Sequence, residues 1–264
     1  MAFILTADDF GKTNEINAAV LKAHKHGTIQ AASLMMGEDA TQQAVDLAKA
    51  NPTLRVGLHL VFVDGKSVLP YAEIPDLIDF SRHFPRDPAY TWLKYLFSRK
   101  LRAQLEKETR AQFEAFRLSG LKLSHVDGHH HQHLHPGVFK LVVALAKEQG
   151  AEWVRIPREN LNVWKEVATQ RTWLKKLHGL IFYALTRGKQ KTLKQFGFRT
   201  MDAVFGLIET HNLTKEYVLK LFETNPLGAN ELFFHPGADW NRDLEILLDP
   251  QVGQAFRDKE LQFI

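Results

Sequence analysis

The 264-residue chain contains no cysteine, which excludes disulfides, thiolate nucleophiles and thiolate-held metals. Any metal it carries must be held by histidine and carboxylate. No apolar run approaches the roughly 18 residues that a membrane-spanning helix needs. The first residues, MAFILTADDFG, show neither a charged leader nor a small-residue cleavage site. A cytoplasmic protein is therefore expected. There is no internal repeat and no low-complexity linker. The net charge of +4 comes without an Arg/Gly-rich or aromatic RNA-binding signature, so nucleic acid is not an expected partner.

What is present suffices for one soluble domain with a sizeable core, and residues 1–264 are expected to form it. Short apolar runs rich in β-formers alternate with helical patterns, the signal of βα units and a mainly parallel sheet. AFILTADD reads as the first strand. It leads into NEINAAVLKAHKHG, where Ile16, Ala19, Val20 and Ala23 recur at helical spacing and Gly27 stops the helix. IQAASLMM and LRVGLHLVF read as the next strands, separated by the helix DATQQAVDLAKAN. Further along, LRAQLEKETRAQFEAFRLSG reads as a helix before strand LKLSHVD. PGVFKLVVALAKEQG reads as another, with Pro136 in its first turn. EWVRIP and ANELFFHPG are further strands, and the closing KELQFI also reads as one.

Six of the thirteen histidines fall in Ser124–Pro136, SHVDGHHHQHLHP. The run lies between a strand ending near Asp127 and a helix starting near Pro136, and parallel α/β folds place their sites after strand C-termini. The same address recurs at Asp8-Asp9, His59, Arg155 and His235. A parallel sheet would bring these features to one cavity, and that convergence outweighs any single motif.

Each residue also has a plainer role. Asp8 and Asp9 could cap the following helix. Adjacent strand residues point to opposite faces, so both serve one site only if a bulge aims them together. His59 could be a satisfied core histidine, Arg155 an ordinary ion-pair arginine and His235 a turn residue. Asp127, His125, His129, His131 and His133 cannot all bind one ion, because a four-coordinate site with an open position takes about three protein ligands. The remainder must orient ligands, touch substrate or face solvent.

TADDFG, VGLHL, HVDGHHHQH, VRIP and FHPG, in that order, resemble the YdjC-like carbohydrate deacetylases over nearly the whole chain. The segments RVGLHLVFVDGKSVLP, IPDLID and FEAFRLSGLKLSHVDGHHHQHLHP resemble the hopanoid-biosynthesis-associated branch. Thr6 stands where the wider family often has Asn, and the histidine run is richer than usual. The resemblance implies an α/β fold, a distorted (β/α) TIM-like barrel with mainly parallel strands. It also implies hydrolysis of an N-acetyl group from a glucosamine unit with one divalent metal. Carried over by position, Asp9, His59 and His129 would hold the metal, and Asp8 would be the general base. One carboxylate and two imidazoles also leave a coordination position for water, as hydrolytic zinc sites do. His235 would be the general acid. Arg155 resembles the arginine that keeps the catalytic aspartate ionised in related deacetylases. Asp127 would orient a histidine, with His125, His131 and His133 as further supporting or substrate residues. Two nitrogens and one oxygen favour Zn2+, with Mg2+ as the alternative.

Between Trp173 and Arg199, a strongly apolar segment is laced with lysine and arginine and contains no acidic residue; Tyr90–Arg102 has similar character. Such segments either cover the barrel, within helical stretches of about 90–118 and 165–200, or lie on an anionic membrane surface. Expected partners are thus an N-acetylglucosamine-containing glycoside or glycolipid, the inner membrane surface, a second copy in a homodimer, and no nucleic acid. A soluble chitooligosaccharide is the alternative substrate. A metal-dependent phosphoesterase and a non-catalytic metal-binding protein are readings of other classes.

Overall fold

In a computed structural model of the chain, residues 2–168, 170–224, 226, 228–237, 241–257 and 259–260 are described. Their strands are β1 (Ala2–Phe10), β2 (Ala31–Leu34), β3 (Arg55–Leu60), β4 (His125–Gly128), β5 (Trp153–Val154), β6 (Ala203–Phe205) and β7 (Ala229–Phe234). They form one sheet in the order β5-β4-β3-β2-β1-β7-β6, with every ladder parallel. That is a sequential circle joined at β7 and β1 and broken between β5 and β6. The two edges meet through the isolated bridge Trp153–Arg199 and the Val204 N–H to Arg158 carbonyl bond of 3.1 Å. The expected α/β barrel is therefore a curled parallel half-barrel, open at one seam.

The helices are α1 (Asn14–His26), α2 (Thr41–Ala50), α3 (Pro88–Phe97), α4 (Arg99–Leu118), α5 (Phe139–Glu148), α6 (Leu161–Val167), α7 (Trp173–Leu185), α8 (Lys189–Gln195), α9 (Lys215–Thr224), α10 (Asn241–Leu248) and α11 (Pro250–Arg257). None is long and apolar enough to cross a membrane among the described residues.

Strand β1 shows how sequence alternation builds the two layers. Phe3, Leu5 and Ala7 join the large core between sheet and helices. Ile4 packs on the other side with Trp153, Val204, Leu207 and Phe233. Thr6 and Asp8 follow Ile4 at period two, so the polar interior begins where the apolar one ends. The turn after β1 is closely specified. Gly11 has φ +93°, and a Cβ there would meet Leu34 Cδ1 and the Met35 carbonyl at 2.9 Å. Asn17 Oδ1 accepts the Gly11 N–H at 2.7 Å, tying α1 to that turn.

Two expectations change, and a third lies mostly outside the described residues. β6 falls where no strand was expected, because three residues are too short for a periodic signal. α5 begins at Phe139, three residues beyond Pro136. His135 Nδ1 accepts the Gly137 N–H at 3.0 Å, which holds Pro136-Gly137 in a turn ahead of the helix. Of KELQFI, only Lys259 and Glu260 are within the described residues, and Glu260 bridges Phe3; the expected strand otherwise lies outside them.

Candidate metal centre and active site

The C-terminal ends of the strands open onto a cavity of about 620 Å³, lined by Asp8, Asp9, His59, His129, His131 and His235 among others. Asp8 and Asp9 reach it together because the β1–β2 register shifts between Ala7 and Phe10. Asp9 has φ +62°, a conformation that aspartate tolerates better than most residues. The irregularity thus defeats the strict alternation that would send one carboxylate to each face.

Asp9, His59 and His129 each offer a ligand atom within 4.8 Å of the others. Asp9 Oδ1 lies 3.4 Å from His59 Nε2 and 3.0 Å from His129 Nδ1. Asp9 Oδ1 and His59 Nε2 are buried yet make no hydrogen bond. A buried polar atom without a partner is costly, so their convergence suits a cation between them. The charge balance agrees. Burial opposes ionisation of Asp9, yet His129 holds its carboxyl well below the usual range. Burial likewise opposes a charged His59, but Asp127 overcomes it and pushes the imidazole up to about 10. The cluster accommodates positive charge despite its burial. Two nitrogens and one oxygen are a fitting donor set for a divalent metal.

Behind this cluster is a second layer of charge. His59 Nδ1 lies 2.8 Å from Asp127 Oδ1, which fixes the ring with Nε2 toward Asp9. The Ser33 hydroxyl donates to Asp127 Oδ2 at 2.7 Å. Arg155 is wholly buried and contacts three carboxylates. It donates to the two Asp8 oxygens at 2.6 and 2.9 Å, and to Glu231 Oε1 at 2.8 Å. It also lies 2.9 Å from Asp127 Oδ2. Its guanidinium carbon sits 4.7 Å from the centre of the Phe233 ring, completing a rigid setting. Burial raises the Glu231 carboxyl, with Arg155 opposing the shift.

The remaining histidines divide by position. His125 stacks on Trp153 with ring centroids 4.5 Å apart, and its Nε2 lies 3.0 Å from Ser33 Oγ. His133 Nε2 bonds the Arg155 carbonyl at 2.8 Å. Burial pushes both imidazoles down to about 4, making them neutral packing groups behind the site. His131 lines the cavity between Phe182 and Phe233, each with ring centroids 5.5 Å away. His130 and His131 have φ values of 48° and 57°, which break the turn following β4 and fan its rings in different directions. His235 lies 4.9 Å, ring to ring, from His211, and its backbone N–H bonds Asp243 Oδ2 at 2.8 Å.

Sequence reasoning missed Glu231 and Ser33 behind the site, and Asp64, Lys12 and His211, which line the cavity. Glu231 had a readable signal, a lone acidic residue inside the apolar strand ANELFF. Ser33 had none, since a serine within AASL is unremarkable as sequence.

Fold and site together define a class, a parallel α/β half-barrel with a two-histidine, one-carboxylate cluster at its strand ends. The chain belongs to the family described as YdjC-like protein, which it matches over residues 2–258. It is 39% identical over 148 residues to proteins named carbohydrate deacetylase from Brevibacillus brevis and Vibrio parahaemolyticus, covering 56% of this chain and 56% of each relative. A carbohydrate deacetylase of Geobacillus stearothermophilus is 38% identical over 154 residues, or 58% of this chain and 57% of that one. The matched region thus spans little more than half the length of these relatives. Among solved structures, one from Enterococcus faecalis, described as a proposed cellobiose-phosphate cleavage protein, superposes with a TM-score of 0.72 at 22% identity. That superposition covers 97% of this chain and 94% of the other. A lactam utilization protein from Thermus thermophilus gives 0.52 at 16% identity, covering 98% and 96%. Both establish likeness of fold.

Proposed function

We propose that the chain is a metal-dependent carbohydrate deacetylase that hydrolyses the N-acetyl group of an N-acetylglucosamine unit. The observation that carries this reading is the placement of Asp8, clamped by Arg155, beside the Asp9–His59–His129 cluster in one cavity. The names of the curated relatives support the same chemistry. Asp9, His59 and His129 would hold the ion, with zinc suited by the two nitrogens and magnesium as the alternative. When bound, a divalent cation supplies Lewis acidity, polarising the acetyl carbonyl and making water a stronger acid.

The chain's own residues do the rest. Asp8 accepts the proton of the attacking water. Arg155 occupies both of its oxygens, but each oxygen has a second lone pair. Asp127 holds the His59 ring in place, and Arg155 ties Asp8, Asp127 and Glu231 into one unit. The amine must leave protonated, and His235 delivers that proton from the cavity wall.

In this reading the acceptor is an N-acetylglucosaminyl hopanoid. The likeness of the connecting segments to the hopanoid-associated branch supports it, as do the apolar cavity walls at Trp92, Leu93, Phe182 and Leu185. The test is acetate release from that glycolipid, from chitobiose and from N-acetylglucosamine, with zinc or magnesium added back to apo-protein. Release that needs metal and is lost in His129→Ala is expected. Release from chitobiose alone would replace the lipid by a soluble oligosaccharide, and no release from any substrate would overturn the deacetylase reading.

A further inference from the structure

Two helices that wall the cavity also keep apolar outer faces. α7 contributes His178, Phe182 and Leu185 to the cavity, and α3 contributes Trp92 and Leu93. On its outer side α7 exposes Trp173 (71%) and Leu174 (59%), followed by Leu177, Leu180 and Ile181. α3 exposes Tyr90 and Leu93. Leu93 and Leu185 belong to both sets, so apolar surface continues from the outside over the lip into the cavity.

A helix with this much apolar surface normally buries it, yet among the described residues only Gly179 of α7 is buried. Its attachment is local: Lys175 Nζ lies 2.6 Å from the buried Glu209, and Gly179 sits against Leu161 and Ile208. Charge along α7 and α8 has one sign. From Ala168 to Met201 there is no Asp or Glu, while Arg171, Lys176, Arg187, Lys191 and Lys194 are exposed.

We propose that this lip is a docking surface for an anionic phospholipid bilayer, with the α3 and α7 side chains entering the interfacial layer and the cavity opening onto it. This deepens, and rests on, the lipid-glycoside reading given above. The charge pattern selects the occupant. A second copy would place these cations opposite their own duplicates across a two-fold axis, whereas anionic headgroups neutralise them. Exposed aromatic and aliphatic side chains flanked by lysine are also the composition of interfacial helices. A sugar carried by a lipid then reaches the site without its apolar part crossing water.

The test is cosedimentation of the full chain with vesicles of phosphatidylcholine, alone or with phosphatidylglycerol. Binding to the anionic vesicles, weakened by added salt, is expected. The double variant Trp173→Asp/Leu177→Asp should lose about tenfold or more of that binding, and Lys176→Glu/Lys191→Glu severalfold. Neither pair lines the cavity, so acetate release from a soluble substrate should be unchanged in both. Absence of vesicle binding, binding that the variants leave intact, or a dimer that Trp173→Asp/Leu177→Asp dissociates would each overturn the proposal. Vesicle binding lost in the variants of a chain that deacetylates nothing would uphold the surface and sink the deacetylase reading instead.

Discussion

Arg155 meets both carboxylate oxygens of Asp8, at 2.6 and 2.9 Å, in a setting that is almost completely buried. A two-pronged contact of this kind fixes the plane of the carboxylate as well as its charge. Asp8→Asn should therefore leave the metal content of the protein unchanged while lowering kcat by about 10²–10⁴-fold, the usual contribution of a general base. Elemental analysis beside acetate-release kinetics checks both halves.

Removing Arg155 has a different consequence. Asp8, Asp127 and Glu231 would remain buried without their shared cation. Arg155→Met should cost about 3–5 kcal/mol of folding stability, the range for breaking a buried charge pair. A urea midpoint that hardly moves would show that the three carboxylates are stabilised some other way.

Asp127 touches His59 on the side away from Asp9. Asp127→Asn should weaken divalent-metal affinity by about 10–100-fold through loss of ring orientation. His59→Ala should abolish stoichiometric binding. Titration calorimetry with zinc distinguishes the two outcomes.

Outside the Asp9–His59–His129 cluster, Glu159 is buried and pushed up to about 8, with the Ile208 N–H opposing the shift and Glu209 adding to it. Between its ordinary value of 4.5 and about 8, the folded chain holds a proton that the unfolded chain has lost. Its contribution to stability therefore falls as pH rises through that window. Glu159→Gln should remove this slope, so the variant gains on the parent between pH 5 and pH 9. Thermal melts across that range provide the measurement; parallel curves would refute the buried-acid assignment.

Gly57 lies under the His125 ring, where a Cβ would approach the imidazole to 2.4 Å. Gly57→Ala should lower stability by about 1–3 kcal/mol, the typical cost of overpacking. Because the same ring leans on Trp153 and Ser33, near-ultraviolet circular dichroism should change as well.

The strand-end addresses of Asp8, Asp9, His59, Arg155 and His235 were legible because each follows a short apolar run, and parallel sheets align such ends. Which histidines of the run stand in the cavity was not. That depends on left-handed φ values at His130 and His131, and no residue pattern there signals a backbone break. β6 escaped notice through brevity. Glu231 was passed over because an acidic residue in a strand usually marks an exposed face, whereas here Thr6 and Arg155 both hold its Oε1 inside the barrel.

Strand β1 lies between β2 and β7, so among the described residues the first strand is completed by the last. Asp8 likewise waits for Arg155, and Arg155 for Glu231. Contacts this distant in sequence are slow to form, since a long loop must close before they give any return. During synthesis, one edge of β1 stays without its ladder until β7 has emerged. The candidate site is then among the last parts of the molecule to assemble, and a chain interrupted before β7 would carry Asp9, His59 and His129 without Glu231 and the strand beside them.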